Sequence, residues 1–273
     1  MWNLLRNMTD QRGFSFLEVI ISLAVMGVVT TAIFHLYVTQ HKNYLTQENI
    51  TVVQQNARAA IDELVRQVRM AGHQLPDPVP AIVASDGNPD TIVVSYVSAD
   101  CDTYLADSMS SSSSELLCAT DVSCFKEGQW VYIYEPDSGD GEWFPISQID
   151  TAANGLRHDT QALSKAYAKD AIVIVLDEVR FFVDNSDPNQ PNLMMQRRGQ
   201  VAQVFAENVV DLQFQYRMKN GMIVDEPLYA GNIREILVRI TGRTPTVDGE
   251  IVQPGECSTR TFSSSVFLRN LGV

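Results

Sequence analysis

The sequence predicts an α+β protein, in which one long N-terminal α-helix packs, along its second half, on an antiparallel, β-rich head. Three observations predict this. An apolar run over residues 14–38 continues in helical periodicity, with no proline before Pro76. From Asp90 onward, β-branched and aromatic runs alternate with turn residues. No glycine-rich phosphate loop and no regular strand–helix alternation interrupts them, which argues against a parallel α/β sheet.

The run FSFLEVIISLAVMGVVTTAIFHLYV, residues 14–38, is 25 residues long and holds a single acid, Glu18. At ~1.5 Å rise per residue it covers a hydrocarbon core of ~30 Å. Nothing else in the chain matches it, so the chain is expected to cross a membrane once at most. Arg6 and Arg12 precede the run, favouring a cytoplasmic N-terminus and an exported C-terminal mass. The run is too long for a signal peptide, and more apolar residues follow Thr30 and Thr31 where a small-residue cleavage site would stand. A plain anchor explains length and charge but leaves Glu18 without a reason, since a carboxylate at mid-span costs about 2.5–3.5 kcal/mol on insertion scales and less one turn in. A cut between Gly13 and Phe14 supplies the reason. The new α-amine lies one turn before Glu18, and in a helical array the acid of one chain answers the amine of its neighbour.

Beyond Val38 the apolar residues thin to a stripe, Ile50, Val53, Ala57, Ile61, Leu64 and Val68, at steps of three or four. The opposite face carries Gln54, Gln55, Arg58, Asp62, Arg66 and Arg69, charges that read as intrahelical support on a solvated surface. Ala71-Gly72 and the prolines after it stop the helix. The predicted organisation is therefore a leader at 1–13, a helix at 14–71 (membrane and assembly half 14–38, amphipathic half 39–71) and a β-rich head at 72–273.

Strands are expected in the head at 91–97, 129–134, 142–149, 171–183 with a bend near Asp177, 193–197, 200–205 around Gly199, 209–218, 233–241 and 261–268. Lys219-Asn220-Gly221 signals a hairpin after 209–218. The serine-rich stretch 108–114 reads as a loop.

A net charge of −13 disfavours nucleic-acid binding by the whole surface. The adjacent Arg197 and Arg198 read as a solvated strand end. The cysteines Cys101, Cys118, Cys124 and Cys257 contain no CxxC pair, and His35, His41, His73 and His158 are scattered, so zinc is not expected. In an exported chain the cysteines are candidates for disulfides. Cys101–Cys118 would close the serine-rich loop, Cys118–Cys124 would staple a local turn, and Cys257 is open to any of the three. No nucleophile motif is present. His158, Asp159 and Ser164 are near in sequence only, and enzymatic activity is not expected. The acidic turn around Asp137, Asp140 and Glu142 has oxygen ligands and glycines of the kind calcium favours, though not in the EF-hand pattern. It reads first as an acidic hairpin tip, with no cofactor expected.

The stretch Arg12-Gly13-Phe14-Ser15-Phe16-Leu17-Glu18-Val19-Ile20 resembles the processing site of type IV prepilins and related pseudopilins. The resemblance implies a pilin-like fold, cleavage by a prepilin peptidase between Gly13 and Phe14, N-methylation of Phe14, and an assembly role for Glu18. It also implies an inner-membrane precursor with a periplasmic head, an inner-membrane assembly platform, and major and minor pilins as partners of the helix. The mid-helix proline frequent in major pilins is missing. Residues 204–218, 233–244 and 261–273 resemble PilW-type minor pilins, which implies a subunit that initiates or caps a pilus. A minor pseudopilin of a type II secretion system and an anchored tip adhesin are the alternatives.

Overall fold

The structure, a computed structural model, describes residues 13–77, 79–98, 100–159, 162–244 and 257–271. The leader, Gly13 excepted, lies outside them, as do Arg6 and Arg12. One helix, Phe16–Met70, is followed by antiparallel sheets. It begins two residues later than expected: the Ser15 carbonyl accepts the amides of Glu18 and Val19, and Phe14 and Ser15 stay outside. It stops at the predicted place, in a turn carried by Gly72 at φ +78°. The chain divides into two compact units, residues 1–50 and 51–273.

In the first unit the helix has apolar residues on every side and none of its most apolar stretch is buried; by length and composition it can cross a membrane. Ser22 and Thr31 donate their hydroxyls to the carbonyls of Glu18 and Gly27, at 2.7 and 2.8 Å, and so need no partner from outside the helix.

In the second unit the helix buries Val53, Ala57, Ala60, Ile61, Leu64, Gln67 and Val68. These are the predicted stripe from Val53 on, widened by Ala60 and Gln67. The predicted polar face is exposed at each of its six positions. Gln67 is buried without penalty, because it donates to Glu63 at 2.8 Å and accepts the Tyr96 hydroxyl at 2.6 Å. Arg66 pairs with Glu63, three residues away, and its guanidinium holds the Glu63 carboxyl below the usual range.

The stripe shares one core with two sheets. The five-stranded sheet runs Ile82–Ser85, Thr91–Tyr96, Asp177–Asp184, Asn192–Arg197, Gln203–Glu207. The four-stranded sheet runs Ile223–Val224, Val209–Met218, Ile233–Arg243, Thr259–Phe267. Val209–Met218 has the predicted bounds, and the expected hairpin follows, with Gly221 at φ +86°.

Residues 98–176 leave this framework between two strands that are neighbours in it, Thr91–Tyr96 and Asp177–Asp184. They form a lobe with its own core around Leu105, Leu116, Val131, Ile133, Phe144 and Leu156. Its four-stranded sheet runs Asp102–Tyr104, Ile172–Ile174, Trp130–Tyr134, Gly141–Pro145, and a three-stranded sheet runs Glu115–Leu117, Gly155–Arg157, Gln148–Asp150. With 13 acidic and 4 basic residues, the lobe carries −9 of the net −13.

The lobe corrects two expected strands. The run 171–183 is two strands, Ile172–Ile174 in the lobe and Asp177–Asp184 in the framework. Between them Val175 belongs to the lobe core and Leu176 to a small cluster with Val79, Val97 and Tyr132. The run 142–149 likewise divides into Gly141–Pro145 and Gln148–Asp150, in different sheets. Continuous apolar character here records passage between cores, not one strand.

The disulfide pairing that the sequence leaves open is neither Cys101–Cys118 nor Cys118–Cys124: Cys101 is joined to Cys124, while Cys118 and Cys257 are free thiols. Backbone pairing explains it. Leu105 lies opposite Cys118, and the Thr103 and Thr120 hydroxyls meet at 2.7 Å. Extending that register places Cys101 opposite Val122, beside Cys124 and four positions from Cys118. The serine-rich stretch is tied at both ends, by mutual backbone bonds of Met109 with Tyr167 and by the Ser114 carbonyl accepting the His158 amide.

Candidate functional site: the N-terminal segment

Gly13, Phe14 and Ser15 are non-helical and exposed, so the peptide bond between Gly13 and Phe14 stands clear of the helix, in chain a peptidase can bind extended. Phe14 is 82% exposed. Glu18 sits in the first turn of the helix, where the unpaired amides favour an acid. It is exposed, and its carboxylate has no hydrogen bond or ion pair among the described residues. Around and beyond it Phe16, Leu17, Ile20, Leu23, Met26 and Phe34 are all exposed. An acid on an uncovered apolar surface is costly in lipid unless a cation meets it there.

The other sequence candidates go elsewhere. The Glu142 carboxylate is filled by donors: the Ser164 amide at 2.9 and 3.0 Å, the Ser164 hydroxyl at 2.8 Å and the Tyr167 hydroxyl at 3.0 Å. Burial first, then Glu142, pushes the Tyr167 hydroxyl far above the ordinary tyrosine value, which keeps it a donor. Asp140 faces Lys165 at 3.9 Å, and Asp137 is exposed. Among the described residues no three His, Cys, Asp or Glu side chains come together as a metal site. His158, Asp159 and Ser164 are not brought together. His158 packs edge-on against Phe144, Asp159 accepts from Ser147, and Ser164 serves Glu142.

Arg197 ends its strand and Arg198 follows it, but both are half-buried and paired rather than solvated. They pair across the strand with Asp177 at 3.0 Å and Glu178 at 2.8 Å, and Arg198 lies 4.5 Å over the Trp143 ring. Sequence reasoning missed this, because Trp143 and Arg198 come from different lobes and their only signal was the pair of acids at 177–178.

The prokaryotic N-terminal methylation motif, the prepilin-type motif, matches the chain at residues 8–34. It covers Gly13, Phe14, Glu18 and most of the apolar run. No curated protein matches the chain.

Proposed function

From the prepilin-type methylation motif that this chain carries, we propose that it is a minor subunit of a type IV pilus, of the PilW type, that initiates or caps the filament. A prepilin peptidase cuts between Gly13 and Phe14 and Phe14 is N-methylated. The span then passes from lipid to the filament interior, and Glu18 neutralises the α-amine of a neighbouring pilin. The head faces the periplasm before assembly at an inner-membrane platform and the cell surface afterwards.

One observation carries this reading: the motif runs directly into a helix whose apolar residues are uncovered on every side. Burying an apolar side chain of this size contributes about 1.5–3 kcal/mol, so the surface calls for an apolar surrounding outside its own chain, first lipid and then neighbouring helices. A structural subunit needs nothing further from its N-terminus.

The test is the N-terminus of the chain recovered from membranes. N-methyl-Phe14 is expected. An intact Met1, or a start downstream of Thr31, refutes the reading. The motif is shared with pseudopilins, so the second reading is a minor pseudopilin of a type II secretion system. Sheared surface filaments separate the two, since a pilus subunit is recovered with them and a periplasmic pseudopilin stays with the cells.

A further inference from the structure

We propose that the cleft between the inserted lobe and the five-stranded sheet is a binding site for a neutral sugar ring. The cleft has a volume of about 620 Å³, within the range of small-ligand sites. Its lobe wall is aromatic, made by Trp130, Tyr132 and Trp143, and Glu178 and Arg198 stand on the framework side. Trp130 and Trp143 are half-buried. Tyr132, buried, props Trp143 edge-on at 5.4 Å between ring centres.

The polar groups narrow the ligand. Arg198 is held by Glu178 twice: its guanidinium donates to the carboxylate at 2.8 Å and its amide to the Glu178 carbonyl at 3.0 Å. The pair is neutral, and Arg198 Nε is a buried donor without an acceptor. A cation is disfavoured, because the Arg198 guanidinium already covers the Trp143 ring and Glu142 is filled by Ser164 and Tyr167. An anion is disfavoured, because the one arginine lining the cleft among the described residues is paired and the lobe as a whole carries −9. A pyranose ring is neutral. Its C–H face lies on the Trp130 indole, its hydroxyl oxygens accept from the Arg198 guanidinium N–H groups that Glu178 does not engage, and its hydroxyl hydrogens reach the Glu178 carboxylate.

The proposal does not depend on filament assembly and neither does its test. The chain has three tryptophans, two in the cleft and Trp2 ahead of Gly13. Full-length Trp2→Phe protein, in a detergent without a sugar headgroup, therefore emits only from the cleft. It is titrated with the methyl glycosides and short oligomers of glucose, galactose, mannose and N-acetylglucosamine, and with choline and N-acetylneuraminate as charged probes. A saturable change in emission is expected with at least one. Replacing Trp130 by Leu, or Arg198 by Gln, is expected to weaken that binding about tenfold. Unfolding curves check that the variants fold, and saturation-transfer NMR on the Trp2→Phe protein detects the bound sugar without them. No saturable change with any neutral saccharide overturns the proposal. So does a response confined to choline or N-acetylneuraminate, or binding that both folded variants leave unchanged.

Discussion

The carboxylate of Asp90 accepts the backbone N–H of Phe214 at 2.7 Å, between partners 124 residues apart. Its other oxygen accepts the Gly87 amide at 2.9 Å, and its own amide donates to the Leu212 carbonyl at 2.8 Å. Asp90 thereby ties the start of Thr91–Tyr96 in one sheet to Val209–Met218 in the other. Replacing it by Ala leaves the Phe214 amide unmet inside the core and is expected to cost about 2–3 kcal/mol, read from urea unfolding.

Asp90 also sets a pH dependence. Burial is the largest influence on its carboxyl and raises its pKa; the Gly87 and Phe214 amides oppose this, and Asp86 and Asp211 add to it. A carboxyl with a raised folded pKa binds its proton more tightly in the fold than in the unfolded chain. Its contribution to stability therefore grows as pH falls from the folded value toward the ordinary carboxylate value, and is lost as pH rises. Compared at each pH with Asp90→Asn, which does not titrate, the wild type should gain in relative stability through that window. A flat or declining difference in urea midpoints would contradict the assignment.

Gly199 sits at φ +73° against Trp130, where a Cβ would overlap the indole ring. Gly199→Ala meets both the left-handed backbone and that ring, and a loss of about 2–4 kcal/mol is expected. Because the displaced ring is a tryptophan, its emission should shift in the folded variant before any unfolding. Wild-type emission with wild-type stability would show that the contact is loose.

The two free thiols differ. Burial raises the Cys118 pKa to about 11, with the Thr103 hydroxyl working against it, so Cys118 is protonated and shielded. Cys257 is only partly buried. Without reductant, native protein should take one maleimide quickly, at Cys257, and a second only on unfolding. Removing the Cys101–Cys124 bond, whose partners are 23 residues apart, should cost about 3 kcal/mol. Fast native labelling at two sites would place Cys118 outside its core.

Which of these features the sequence disclosed follows from the range of the interaction behind each. The helix stripe from Val53 to Val68 and the strand Val209–Met218 were legible because burial repeats inside one segment, at steps of three or four and of two. Three-residue strands such as Asp102–Tyr104, Glu115–Leu117 and Gly155–Arg157 were not, since alternation has no room to show in them. The cleft wall and the Cys101–Cys124 bond depend on pairing between distant segments, and register is a property of the pair. Glu18 was legible for the opposite reason: an acid in an apolar run is conspicuous before any fold is known.

Glu18 is the residue on which assembly and insertion should part. Its carboxylate has no partner among the described residues and it stands on an exposed apolar surface. Glu18→Ala removes a charge from the span, so membrane insertion should be unchanged or improved. Cleavage between Gly13 and Phe14 should persist, because that bond lies outside the helix. Incorporation should fall by about tenfold or more, because the α-amine of the neighbouring chain is then buried among apolar helices without its counter-charge, and breaking a buried pair from one side costs about 3–5 kcal/mol. Glu18→Asp, which keeps the charge on a shorter arm, should recover part of the loss, and Glu18→Gln should recover little. Membrane flotation reads insertion, N-terminal sequencing reads cleavage, and immunoblots of sheared filaments read incorporation. Normal incorporation of cleaved Glu18→Ala protein would remove Glu18 from the assembly mechanism.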